Sequence, residues 1–371
     1  MSIISYLKPL FNSYGPKQRG ESSGVLIVSS GGIGDTVLFS LVFRRFARLA
    51  KEGEPITLLL RENATKVGFL FGKNVSIYAL DYERFAKDRS YRKSTCQYLY
   101  DSNFRLVVST DFLRHPKKDD LLVQACKASE VLAMEPRSWP KYDRVLQKNR
   151  SLYDRLYDSG PVVLDKIVRW TGFANWLTDE TLAPPQVKLP PEISPATVAG
   201  NRPTVILVPF SAVKEKQPPA SLFSAIVEII PKHHDIVIAC APGEFLKNRN
   251  FDSLLHLSNV RLDESSLENL LPVLQAARLV VSVDTATMHL AVAAGARTLC
   301  LASAAYVGEI IPYAPQITPK NVYFIYTPME CQGCLGNCIH STENGMFPCV
   351  SRINQREVLA KVLQLLDDGK C

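Results

Sequence analysis

No stretch of this 371-residue chain approaches the roughly 18 consecutive apolar residues that a spanning helix needs, which excludes a helical membrane span. Met1 to Phe11 lack a charged n-region, a full apolar h-region and a small-residue cleavage site, so no secretory signal is read there. Nine cysteines without such a signal argue against a disulfide framework, and the protein is expected in the cytoplasm. No aromatic-interleaved arginine run, zinc-finger spacing or RNA-binding signature occurs, so no nucleic-acid partner is expected.

Size and charge say more. A chain this long exceeds what one core usually supports, and two domains are the default. Apolar content of 46% and charged content of 21% are ordinary for a soluble enzyme. Residues 1–183 hold 28 Lys and Arg against 20 Asp and Glu, a surplus of eight positive charges, and the remainder holds 15 against 16. A basic half beside a neutral half points to an anionic partner, an acidic glycolipid or a phosphorylated membrane surface. Ile3, Ile4, Leu7, Leu10 and Phe11, followed by Lys17 and Arg19, leave two readings open. This tail packs on a domain surface, or it lies peripherally in a membrane interface, here the cytoplasmic face of the inner membrane.

Short apolar runs alternate with helical patterns along the chain. Strands are read at 25–28, 56–60, 75–78 and 106–108, with helices at about 36–50, through Phe69, near 82–100 and at about 118–133. The aromatic and basic stretch 136–180 reads as helical and less regular. Five prolines between Ala183 and Pro195 cannot sit in a helix or a central strand, which marks a stiff connector. The pattern then restarts, with strands at 204–208, 236–239, 260–262, 279–283 and 298–301. Helices are read from about 219, from Glu244, at 266–277, from Thr285 and at about 354–368. Strand–helix alternation implies α/β domains with parallel, doubly wound sheets.

Four segments carry a resemblance. Ser29-Ser30-Gly31-Gly32-Ile33-Gly34-Asp35 resembles the N-terminal glycine-rich loop of glycosyltransferase family 9, the ADP-heptose:lipopolysaccharide heptosyltransferases. Pro209 to Pro219, with Lys214 and Lys216, is similar to that family's loop after the first strand of its second domain. Pro218 stands here where tryptophan is usual. Ala241-Pro242-Gly243-Glu244 resembles its Gly/Pro-rich turn. Ser266-Leu267-Glu268 running on to Asp284-Thr285-Ala286-Thr287-Met288-His289-Leu290 resembles its Asp-Thr-Gly-x-x-His-Leu motif, with Ala286 in place of glycine. The resemblance implies a GT-B fold, two Rossmann-like doubly wound domains facing a central cleft. Its expected parts are an acceptor-binding domain (1–183), a Pro-rich linker (184–202), a donor-binding domain (203–350) and a C-terminal helix (351–371).

The same residues suggest a chemistry. Gly31, Gly32 and Gly34 permit a tight strand-to-helix turn and close ligand approach, and the loop has no Walker lysine. Asp35 is either the cap of a helix beginning at Thr36 or, as the resemblance implies, the base that deprotonates the acceptor hydroxyl. GT-B enzymes generally use no catalytic metal, so the departing diphosphate needs cations and helix N-termini. Lys216 is the candidate, helped by Ser211 and the N–H groups of Thr285, Ala286 and Thr287, with Lys214 read as a solvated loop charge. Glu244 is read as a donor-hydroxyl ligand or a cap. Asp284, an acid ending an apolar strand, must be paired and is read as a ligand of the donor sugar. His289 is read as a hydrogen-bonding residue of the donor site. Arg61, Asp111 and Arg114, with Lys117, follow strands and are read as acceptor contacts.

Cys331, Cys334, Cys338 and Cys349 have ligand-like spacing and are expected to hold a structural Zn or Fe, against the alternative of four reduced thiols. Cys96, Cys126, Cys240 and Cys300 read as buried small hydrophobes. The expected function is inverting transfer of heptose from ADP-L-glycero-D-manno-heptose to a lipopolysaccharide core acceptor. A different nucleotide sugar, a protein acceptor such as an autotransporter, or a non-catalytic two-domain binding protein are the rivals.

Overall fold

The computed structural model describes residues 20–193 and 202–368. The apolar N-terminal tail with Lys17 and Arg19, and the linker's Pro195, lie outside the described residues. The chain divides into two compact units. One comprises Met1–Gly32, Phe43–Val162 and Gly172–Thr181, the other Ile33–Val42, Val163–Thr171 and Leu182–Cys371.

The first unit is built on a six-stranded sheet. Its strands are β1 (Val25–Ser29), β2 (Ile56–Arg61), β3 (Val75–Leu80), β4 (Leu106–Ser109), β5 (Glu130–Met134) and β6 (Arg155–Tyr157). The order is β3-β2-β1-β4-β5-β6 and every pairing is parallel. Such strands are covered on both faces, which is why Val25-Leu-Ile-Val28 is an unbroken apolar run with no alternation.

The second unit repeats the plan with β7 (Thr204–Val208), β8 (Asp235–Ala239), β9 (Val260–Asp263), β10 (Leu279–Val283), β11 (Thr298–Leu301) and β12 (Val322–Ile325). Its order, β12-β11-β10-β7-β8-β9, is the same winding. In both sheets the chain reverses direction beside the first strand, between β1 and β4 and between β7 and β10. Crevices at such reversals, outside the carboxyl ends of the strands, are where α/β sheets bind ligands. The C-terminal helix, Gln355–Asp367, lays Val358, Val362, Leu365 and Leu366 into this unit's core beside Val281 and Leu207. Each such burial stabilises by about 1.5–3 kcal/mol, so that helix is part of the unit rather than an appendage.

Several local expectations are corrected. The helix read over 118–133 is Asp119–Cys126, closed by Lys127 at φ 47°, and the rest is β5. Periodicity cannot separate a short buried strand from a helix segment when the apolar run is continuous. The irregular stretch 136–180 contains a strand, β6, between the helices Asp143–Asn149 and Lys166–Thr178. Only 3-10 turns, Phe245–Lys247 and Arg249–His256, follow β8. The first long helix is Ile33–Ala47, so it starts three residues before Thr36.

Candidate functional site

At the β7/β10 reversal, Ser282 of β10 pairs with Val208 of β7, so the segments leaving both strands run side by side. Asp284 follows β10 and is 3% exposed. Its carboxylate forms an ion pair with the Lys216 ammonium, which also lies 4.6 Å from the Tyr306 ring centre. Lys216 sits in the turn Lys214–Lys216 and is buried, whereas Lys214 is exposed. The loop that carries it is tied down locally. Gln217 Nε2 donates to the Ser211 carbonyl at 2.7 Å, Val213 N–H to Ser211 Oγ at 3.3 Å, and Ser211 Oγ to the Asp284 carbonyl at 3.5 Å.

Thr285 caps the helix Ala286–Ala293 through its extended backbone, and no side-chain cap bond is made. The first N–H groups of a helix have no intrahelical partner, so Ala286 and Thr287 offer donors to an anion beside Asp284. His289, in the same helix, is buried. Its Nδ1 is 2.7 Å from the Tyr313 hydroxyl and its Nε2 is 3.9 Å from Asp284 Oδ1. Burial outweighs the nearby carboxylates and lowers its pKa to about 4. At neutral pH it is an uncharged hydrogen-bonding group.

The first turn of Ile33–Ala47 packs on this helix. A Cβ on Gly34 would stand 3.2 Å from His289 Cδ2 and 3.7 Å from Ala286 Cα, so only glycine fits without displacement. None of Gly31, Gly32 and Gly34 is among the residues with positive φ, so close approach, and no special backbone conformation, is what Gly34 supplies. Asp35 is therefore the third residue of a helix and not its cap. Its Oδ1 receives the Lys166 ammonium at 2.7 Å. Lys166 was not legible in the sequence, because it lies in the stretch without clear periodicity and its partner is far away along the chain.

Tyr306 was also missed. Its turn, Ala304–Tyr306, is braced by the cysteine-rich segment: Gly333 N–H donates to the Ala304 carbonyl at 3.0 Å and Leu335 N–H to the Ala305 carbonyl at 2.7 Å. Phe347 N–H donates to the Glu215 carbonyl at 2.9 Å. The 331–349 region thus clamps both the Lys216 turn and the ring that covers it. The structure lends the expected ion at Cys331, Cys334, Cys338 and Cys349 no support. Among the described residues no three or more His, Cys, Asp or Glu side chains are grouped to hold a metal. Cys349 is buried against Ala304 and Val350, in apolar packing. Burial, then the hydrogen bond with Cys338, raises the Cys331 thiol to about 11, so it stays protonated at neutral pH.

Glu244 follows the turn after β8, where Lys247 Nζ reaches its Oε2 at 3.1 Å and Asn248 Nδ2 its Oε1 at 3.4 Å. A depression of about 430 Å³ between Arg278, Arg297, Lys320 and Tyr323 opens at the amino-terminal edge of the same sheet. Arg297 donates there to the Leu365 carbonyl of the last helix, which gives it a structural task.

In the first unit, near the β1/β4 reversal, Arg61 and Asp111 hold the backbone carbonyl and N–H of one residue, Ser30. Arg61 Nε donates to the Ser30 carbonyl, and Ser30 N–H donates to Asp111 Oδ2 at 2.6 Å. Both therefore fix the entry to the glycine-rich loop, and Arg61 remains exposed. Arg114 is a correction. It is 1% exposed, paired with Asp120 at 3.1 Å, bonded to the Met134 carbonyl and stacked 4.4 Å from the Tyr153 ring, so it belongs to the interior and cannot reach a ligand. Asp119, which the sequence reading passed over, is buried beside Asp111. Burial first, then Asp111, raises its carboxyl to about 7.

Residues 177–334 match the family described as glycosyltransferase family 9 (heptosyltransferase). No curated protein sequence matches the chain. The fold is that of E. coli ADP-heptose LPS heptosyltransferase II (13% identity, TM-score 0.65, 94% of this chain and 100% of that one). It is shared by the family 9 glycosyltransferase of Veillonella parvula (13%, 0.66, 95% and 99%). E. coli heptosyltransferase WaaC with ADP also has it (14%, 0.65, 92% and 99%). The two parallel six-stranded sheets are a GT-B arrangement. Among the described residues no helix is long and apolar enough to cross a membrane.

Proposed function

We propose that this glycosyltransferase, which carries a family 9 domain over residues 177–334, transfers heptose with inversion from ADP-L-glycero-D-manno-heptose to a lipopolysaccharide core acceptor. One observation carries the reading: Asp35, Lys216, Asp284 and His289 gather in one compact unit, at the reversal of its sheet. A transfer of this type needs a base for the acceptor hydroxyl and cations for a departing diphosphate, and these residue types meet both needs.

Asp35 takes the proton of the acceptor hydroxyl while its oxygen bonds to the anomeric carbon and the bond to the diphosphate breaks. Lys216, with the N–H groups of Ala286 and Thr287, receives the diphosphate charge. Asp284, released from Lys216, accepts hydrogen bonds from sugar hydroxyls. The family likeness adds Ser211, Glu244 and Thr285 as donor ligands. We assign donor recognition to 203–350 and acceptor recognition to 1–183, whose positive surplus suits an anionic glycolipid and where Arg61 is an exposed cation.

Calorimetry with the purified chain tests the donor. ADP and ADP-heptose should bind while UDP and GDP give no heat. Binding of UDP or GDP in place of ADP would overturn the donor assignment.

A further inference from the structure

Lys166 is held by more structure than a surface lysine requires. Asp165, buried, accepts from the Ile167 and Val168 N–H groups at 2.8 and 3.3 Å through Oδ1, and from Ala314 N–H at 3.0 Å through Oδ2. Lys166 N–H donates to the Glu309 carbonyl at 2.9 Å. The backbone is thus pinned at two points to the 309–314 segment of its own unit before the side chain begins. Lys166 also opens the helix Lys166–Thr178, where the partial positive charge of a helix start disfavours a cation. Local helix chemistry gives no reason for a lysine here. Asp35 does, at 2.7 Å and with both side chains about three-quarters buried.

The groups around Asp35 sharpen the point. His289, on Ala286–Ala293, is within electrostatic reach but is kept neutral by burial. Tyr306, on its turn, is within reach and burial holds its phenol protonated. Lys216 and Asp284, farther on, are paired with each other. Among the described residues, Lys166 places its ammonium in contact with Asp35.

We propose that Lys166 is a positioning residue for the Asp35 base: its ammonium keeps the carboxylate ionised and oriented for the acceptor hydroxyl, then drives the captured proton on to water. The inference rests on the reading of Asp35 as the base. The proton moves from the acceptor oxygen to Asp35 as the new C–O bond forms and the diphosphate leaves. A neutral carboxyl beside an ammonium is a stronger acid than one in water. The proton therefore passes to solvent and the ion pair is restored for the next turnover.

The test measures ADP release from ADP-heptose, with a deacylated lipid A core bearing 3-deoxy-octulosonate as acceptor. The variants are Lys166→Met, Lys166→Arg, Asp35→Asn and the Asp35→Asn/Lys166→Met double. Lys166→Met should lower kcat by roughly 10- to 100-fold, with both KM values kept within about 3-fold. The acid limb of its kcat/KM profile should move up by about one pH unit. Arginine should restore kcat to within about 5-fold, since it keeps the charge. In the Asp35→Asn background the methionine should cost less than about 2-fold more, because the two residues act as one unit.

A rise in acceptor KM alone, with kcat and the acid limb intact, would make Lys166 an acceptor contact and overturn the proposal. Loss of ADP binding in Lys166→Met, or an undiminished loss in the Asp35→Asn background, would overturn it as well. Near-full turnover of Asp35→Asn alone would instead sink the base reading, so the two failures are told apart.

Discussion

Lys216 and Asp284 neutralise each other at the reversal of the second sheet, an ion pair with hardly any exposure on either side chain. A buried pair of this kind is dear to break, because the remaining charge is stranded. In the transfer proposed above, a diphosphate that takes Lys216 would hand Asp284 over to the sugar.

Lys216→Ala should therefore act twice. It should destabilise the second unit by about 3–5 kcal/mol, the usual cost of orphaning a buried charge, and weaken ADP binding. Adding Asp284→Asn should recover much of the stability and none of the ADP affinity. Lys214→Ala, at an exposed position, should do neither. Chemical denaturation and calorimetry on the three variants check this, and equal losses at both lysines would refute it.

Asp35→Asn should leave the fold and ADP affinity intact and lower kcat by roughly 10²–10⁴-fold. The residue lies within the first helical turn, and asparagine keeps its size and a side-chain oxygen there. Turnover close to that of the parent would remove the base assignment.

The two units should respond to acid in opposite directions. His289 has its pKa lowered from 6.5 to about 4, by burial first, so the unfolded chain binds the proton more readily between these values. The second unit should lose up to about 3 kcal/mol as pH falls from 6.5 to 4. His289→Gln should flatten that slope. Asp119 has its pKa raised from 3.8 to about 7, by burial first and then by Asp111. The first unit's contribution from it is complete below about pH 4 and is lost as pH rises through 7, and Asp119→Asn should abolish the loss. Denaturation midpoints across pH 4 to 8 decide both, and slopes unchanged in the variants would count against these assignments.

Gly34→Ala should cost about 1–3 kcal/mol by overpacking. The new methyl would press on His289, which is held by the Tyr313 hydroxyl and cannot yield freely. Because Asp35 follows directly, kcat should fall while ADP binding is spared. A Gly34→Ala enzyme with unchanged thermal midpoint and kcat would show that the helices have slack there.

The parts legible in the sequence share a physical character. A parallel strand covered on both faces must be written as a continuous apolar run, so β1, β4, β7 and β10 could be read directly from their residues. An acid that closes such a run, Asp284, announces a partner by the cost of leaving it unpaired. Arg114 misled for the same reason that Asp284 informed. A charged residue after a strand is unusual, but sequence alone does not tell whether it faces a ligand or, with Asp120 and Tyr153, completes the interior.

The sequence by itself determined the α/β class, the two-part organisation in the linear order of strands, and the candidates Asp35, Lys216 and Asp284. These follow from local chemistry, namely burial pattern, turn residues and the charge at a strand's end. Tertiary structure alone decided which charges meet. Lys166 reaches Asp35 across 131 positions of chain, and Tyr306 covers Lys216. It also settled that Asp35 belongs to the unit of the second sheet and that Gly333 and Leu335, between the clustered cysteines, brace the Tyr306 turn. Such pairings depend on distances between segments remote in the chain, and no local pattern of residue types encodes them.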